Sequence, residues 1–112
     1  MRNLTRDRVL GEAVELADTS AKRRTGLLKH TELAPGEGLW IAPCESVHSF
    51  FMKFTIDVLY LDRGKKVRGL RPQMKPWRVS ACLPAHSVLE LPAGLIERTG
   101  TQKGDQLAFE KL

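Results

Sequence analysis

Cysteine is nearly absent from this chain: 112 residues contain two, Cys44 and Cys82. A disulfide framework is thereby excluded, and a single bridge would need a geometry that sequence alone does not supply. No apolar run approaches the roughly 20 residues of a membrane span. The opening Met-Arg-Asn-Leu-Thr-Arg-Asp-Arg lacks the apolar stretch of a secretory signal. No membrane partner is expected, and the expected compartment is the cytoplasm. Fixed-period repeats, low-complexity stretches and the usual glycine-rich phosphate loops are missing too. Acid is lacking locally: from Arg63 to Arg78 there are seven basic residues and no Asp or Glu, and the next acid is Glu90.

What is present is the composition of an ordinary folded protein, 42% hydrophobic and 28% charged. A chain of this length fits one domain, 1–112, and hides roughly two-thirds of its unfolded surface, enough for one core without staples. The net charge of +5 can draw in polyanions or simply keep the protein soluble, so the position of the charges matters more than their sum.

The chain reads as mainly β. Val14 and Leu16 sit at period two within a first strand over 9–17. Asp18, Thr19 and Ser20 offer helix caps, and Ala21, Thr25 and Leu28 recur at helical spacing, with Lys22, Arg23 and Arg24 as the solvated face. Leu33 to Gly38 is a loop and Leu39 to Ala42 a short strand stopped by Pro43. From Val47 to Leu61 the apolar content stays high, broken by Lys53 and Asp57. Its latter half, Ile56 to Leu61, is apolar on both faces, as in a strand covered on both sides.

Asp62 to Lys65 predicts a turn, with Gly64 free to take positive φ, and Lys66 to Leu70 an antiparallel return. Pro72 and Pro76 predict irregular or edge-like backbone. Ser87 to Leu91 is a further strand. Pro92 suits a first helical position, Ala93 to Arg98 one or two helical turns, and Gly100 their stop. A second tight turn at Gly104-Asp105 leads into a closing strand from Gln106 to Phe109. Many short strands with one or two short helices predict a small sandwich or partly closed barrel, mostly antiparallel.

Several of these stretches resemble one family. Phe50-Phe-Met-Lys-Phe-Thr-Ile-Asp-Val-Leu-Tyr-Leu-Asp62 is similar to the hallmark of the "domain of unknown function 192" family of small bacterial and archaeal proteins: an aromatic pair, Met-Lys or Met-Arg, then an Ile/Leu-Asp strand ending in Asp. Gly26-Leu27-Leu28 resembles that family's early Gly-Leu-Met element. Val88-Leu-Glu-Leu-Pro-Ala-Gly94 resembles its later Val-Leu-Glu-Leu-x-Ala-Gly, and Gly104-Asp105 its terminal turn. Many members carry Asn-Thr and an Ile-Pro-Leu insert after Met-Lys. Here Phe54-Thr55 leads directly to Ile56-Asp57, so any role of that Asn is absent. The resemblance implies a β-rich, sandwich-like fold and no activity. It also implies frequent export among relatives.

The candidate chemistry is sparse. Asp57, between Ile56 and Val58, is costly to bury without a partner; it reads either as a pocket acid or as a carboxylate pinning a turn. Lys53 is four residues away, but ~13 Å along a straight strand. Cys44 with His48 and Cys82 with His86 repeat one spacing whose ligand types suit Zn²⁺ or Cu⁺. On extended chain each pair is also ~13 Å apart, so no metal or other cofactor is favoured and the cysteines read as small core residues. Neither cysteine has the context of a catalytic nucleophile. Phe50, Phe51, Met52 and Phe54 read as core, or instead as the lining of a ligand cavity.

Three functions stay open. The first is a non-enzymatic domain binding a small ligand or protein partner near His48, Lys53, Asp57 and Glu90, as a monomer or weak dimer. The second is a hydrolase-like enzyme using Asp57 or His48 for proton transfer. The third is polyanion or nucleic-acid binding through Arg68, Arg71, Lys75, Trp77 and Arg78, where cations meet phosphates and an exposed indole stacks on a base.

Overall fold

The computed structural model describes residues 1–25 and 32–109. Its centre is a five-stranded sheet in the order β3 (Ala13–Ala17), β4 (Glu37–Ile41), β9 (Ser87–Pro92), β6 (Ile56–Leu61), β7 (Val67–Met74). Only the β3–β4 pair is parallel; the other neighbours run antiparallel. β6 and β9 lie in the middle, and every residue of β6 is buried, as the two-faced apolar pattern predicts.

Alternation sorts the side chains onto two faces. Ile56, Val58, Tyr60, Leu39, Ile41 and Val88 meet Met52 and Met74 on one face. Leu59, Leu61, Leu89 and Leu91 meet Met1, Leu10, Ile96 and Leu107 on the other. A two-stranded ribbon of β5 (Ser46–His48) and β8 (Val79–Ala81) covers the first face through Val47, Cys44 and Cys82. The second is covered by a small sheet, β10 (Leu107–Ala108), β1 (Arg2–Asn3), β2 (Arg8–Val9), together with α2 (Leu95–Thr99). The result is mainly β and sandwich-like, with no closed barrel among the described residues.

α1 (Ser20–Thr25) starts where the caps predict, with the Thr19 hydroxyl accepting from the Lys22 amide at 3.2 Å. Arg23 is half-buried rather than solvated, because its guanidinium donates to the Asp18 carbonyl at 2.9 Å. Leu28 and the Gly26-Leu27-Leu28 element lie outside the described residues.

Three expectations need correction. The first strand is split, because the Leu10 and Gly11 amides turn to the Met1 carbonyl. Pro92 closes β9 instead of opening a helix; α2 begins after Gly94, at φ 90°. In the β6–β7 turn the left-handed residue is Lys65 (φ 64°), not Gly64. The latter half of the long apolar segment is the strand expected at Ile56–Leu61, and a loop over 49–55 separates it from β5.

Candidate functional site

That loop turns on one buried hydroxyl. Ser49 is 0% exposed. Its amide donates to the Arg78 carbonyl (2.8 Å), and its carbonyl accepts from the amides of Met52 (3.2 Å) and Trp77 (3.0 Å). Its Oγ accepts from the Arg78 amide at 2.9 Å and donates to the Lys75 carbonyl at 2.6 Å. One side chain thus ties the 49–52 segment to the 75–78 segment. Phe51 and Trp77, one on each, both adopt left-handed backbone at φ 65°. Each such non-glycine residue costs roughly 1–2 kcal/mol, a cost carried only where the surroundings enforce it.

The enforced shape points rings outward. Phe51 is 71% exposed and Trp77 56%. Phe51 meets Trp77 edge-on at 4.8 Å between centroids, Phe50 lies 5.8 Å from Trp77, and His48 stacks on Phe50 at 5.1 Å and 26°. The reading of Phe50 and Phe51 as core is therefore wrong, whereas Met52 is buried and Phe54 packs against the core. The platform continues along the outer side of the ribbon, where exposed Val79 pairs with exposed His48.

Cations border it. Lys75 and Arg78 flank Trp77 and are exposed. The Arg78 guanidinium rests on the carbonyls of Pro76 (3.3 Å) and Trp77 (3.4 Å). Arg68 and Arg71 lie exposed along β7, Arg68 3.9 Å from Asp62.

The four residues expected to form a ligand site are not brought together. Asp57 faces the α2 side of the sheet at 0% exposure. Its Oδ1 accepts from the amides of Gln73 (2.9 Å) and Gly94 (3.1 Å), and its Oδ2 from that of Ile96 (2.7 Å). Gln73 is itself left-handed (φ 53°), at the register shift between β6 and β7. The carboxylate is thus consumed in holding a bulge and a strand-to-helix turn, and no exposed atom remains for proton transfer. Lys53 is exposed on the loop, and His48 belongs to the aromatic platform.

Glu90 points to the opposite face from Asp57, between its cross-strand neighbours Leu39 and Val58. It is 5% exposed and has no side-chain partner among the described residues. Burial pushes its carboxyl up to about 7. Burial likewise pushes the nearby Cys44 thiol up, so it is held away from the thiolate that a nucleophile needs. The Cys44, His48, Cys82 and His86 set does not assemble: among the described residues no three His, Cys, Asp or Glu side chains stand close enough to hold an ion. No described helix is long and apolar enough to cross a membrane.

Residues 3–109 match the family model DUF192, described as an uncharacterized ACR. The chain belongs to the DUF192 family. A UPF0127 protein of Pyrococcus furiosus is 34% identical over all of this chain and 99% of its own length. Another, of Thermococcus sibiricus, is 33% identical over 96% of this chain and 73% of its own length. Two solved structures share the fold. A Novosphingobium aromaticivorans protein of unknown function has a TM-score of 0.75 and 27% identity, covering 86% of this chain and 74% of that one. A Sinorhizobium meliloti protein, described provisionally as a transcription regulator, has a TM-score of 0.77 and 26% identity, covering 83% and 78%.

The stretches that resemble DUF192 now have structural roles. Phe50 to Lys53 belong to the platform loop, while Ile56 to Leu61 form the central strand with its caged Asp57, and Asp62 opens the turn that follows. Val88 to Gly94 supply the neighbouring strand and one of the amides that bind Asp57. Sequence reasoning missed Ser49; a lone serine between His48 and Phe50 carries no local signal of its role.

Proposed function

We propose that this DUF192 protein is a binding module for single-stranded nucleic acid, using the platform of His48, Phe50, Phe51 and Trp77. The observation that carries this reading is the outward, backbone-enforced placement of Phe51 and Trp77, with exposed Lys75 and Arg78 on either side of Trp77 in the chain. Exposed rings offer bases a stacking surface regardless of sequence, and adjacent cations neutralise phosphates. Arg71 and Arg68 extend the positive strip along β7. A protein partner would also value exposed aromatics, but the seven basic residues between Arg63 and Arg78, with no acid among them in the chain, favour a polyanion. The enzymatic alternative has little support, since Asp57 is enclosed by backbone donors. The provisional description of the Sinorhizobium meliloti neighbour is compatible with the reading and does not carry it.

The test is fluorescence anisotropy of a labelled oligo(dT) of about 15 nucleotides, long enough for one site. Binding at low salt should weaken linearly in log salt, with a slope near −0.7 for each phosphate contacted. Trp77→Ala should cost about 1–3 kcal/mol, and Lys75→Ala should flatten the slope. Absence of binding at low salt, or full binding by a Phe51→Ala, Trp77→Ala double variant, would refute the reading.

A further inference from the structure

We infer that a second site, independent of the platform, binds a phosphate group in the cleft between the β6–β7 turn and the 84–86 segment. The cleft measures about 520 Å³ and is lined by Arg63 and Lys66 on one wall and His86 on the other. That volume lies within the range of small-molecule sites.

Both walls are held by backbone. Asp62 Oδ1 accepts from the amides of Gly64 and Lys66, each at 2.9 Å, and the Gln106 side chain donates to the Gly64 carbonyl at 2.6 Å. Opposite, the His86 amide donates to the Leu61 carbonyl at 2.8 Å, and its carbonyl accepts from the Cys44 amide at 2.8 Å.

The charges in the cleft do not balance internally. Its one carboxylate, Asp62, is engaged by the two turn amides through Oδ1, while Oδ2 lies 3.9 Å from Arg68, outside the lining. Among the described residues, the side chains of Arg63, Lys66 and His86 have no hydrogen bond or ion pair. A guanidinium, an ammonium and an imidazole lining one cleft suit a group that presents several anionic oxygens, which a phosphate does. None of the three belongs to the platform, so the cleft and the platform can succeed or fail separately.

Two sources share that chemistry: a small phosphate monoester and the terminal phosphate of a strand. The experiment follows the His86 imidazole by NMR in the full chain during titration with inorganic phosphate, against sodium chloride at matched ionic strength. A saturable shift of His86 in phosphate alone is expected. An Arg63→Ala, Lys66→Met variant should weaken it at least about tenfold, as the loss of charge-assisted bonds implies. Trp77→Ala should leave it unchanged. Identical His86 shifts in phosphate and chloride would overturn the inference, as would undiminished phosphate affinity in the double variant. Because that variant changes exposed side chains, an unaltered far-UV spectrum is expected, and Arg63→Lys should retain most of the binding. Oligo(dT) with and without a 5′-phosphate separates the sources: tighter binding of the phosphorylated strand through His86 assigns a strand end, and equal binding assigns a free monoester.

Discussion

Ser49 and Arg78 hold each other three ways. The Ser49 amide donates to the Arg78 carbonyl at 2.8 Å, the Arg78 amide donates to Ser49 Oγ at 2.9 Å, and Oγ lies 3.3 Å from the Arg78 carbonyl. Through this pair a fully buried residue fixes the backbone beside the exposed rings of Phe51 and Trp77.

Replacing Ser49 by alanine removes the partner of the part-buried Arg78 amide and Lys75 carbonyl. The expected loss of stability is about 1–3 kcal/mol, read as a lower midpoint in urea with an unchanged m-value. Trp77 should become more mobile by time-resolved anisotropy. A stability equal to that of the parent would show that water or a backbone shift satisfies both groups.

Phe51→Gly should separate stability from function. The ring is 71% exposed and its residue sits at φ 65°, so glycine relieves a left-handed conformation while losing little packing. Thermal stability should stay level or rise slightly, by up to about 1 kcal/mol, while oligonucleotide affinity falls. A marked drop in melting temperature would mean that the ring contributes to packing.

Asp57→Asn keeps the shape but replaces an acceptor oxygen by a donor among three backbone N–H groups. The expected cost is about 1–3 kcal/mol, and larger for Asp57→Ala, which leaves all three donors unpaired. Chemical denaturation measures both. Near-parental stability of Asp57→Asn would mean that the cage is not held by the charged carboxylate.

Glu90 makes stability depend on pH. Its folded carboxyl titrates at about 7, above an ordinary value of 4.5. Below 4.5 both states hold the proton and the residue contributes no slope. Between 4.5 and 7 the unfolded chain releases a proton that the folded chain keeps, so the unfolded state binds fewer protons and stability falls as pH rises. Above 7 the loss is complete, at about 3 kcal/mol. Glu90→Gln should remove that slope and be the more stable protein at pH 8, with no such advantage near pH 4. Urea melts across this range check it, and parallel curves for the two proteins would contradict it.

Strand positions were largely legible, because burial of a strand on both faces demands apolar residues at consecutive positions. Ile56 to Leu61 and Ser87 to Leu91 show that pattern without help from the rest of the chain. Asp57 and Glu90 were visible as charges within such strands. Their fates were not, because alternation turns them to opposite faces. One meets amides 16, 37 and 39 positions away, while the other is buried beside its cross-strand neighbours Leu39 and Val58 with no hydrogen-bond partner among the described residues.

The aromatic pair marks the division most clearly. The sequence by itself determined the family, the β character, and a central strand flanked by a basic, acid-free stretch. Hydrophobicity alone then assigned Phe50 and Phe51 to the interior, since it records how strongly a ring prefers burial and not which way the backbone carries it. Only the tertiary structure decided that they face outward beside Trp77. The reason is long-range hydrogen bonding: Ser49 satisfies its polar groups with residues 26 and 29 positions later, and the backbone those bonds fix leaves the rings nowhere else to point.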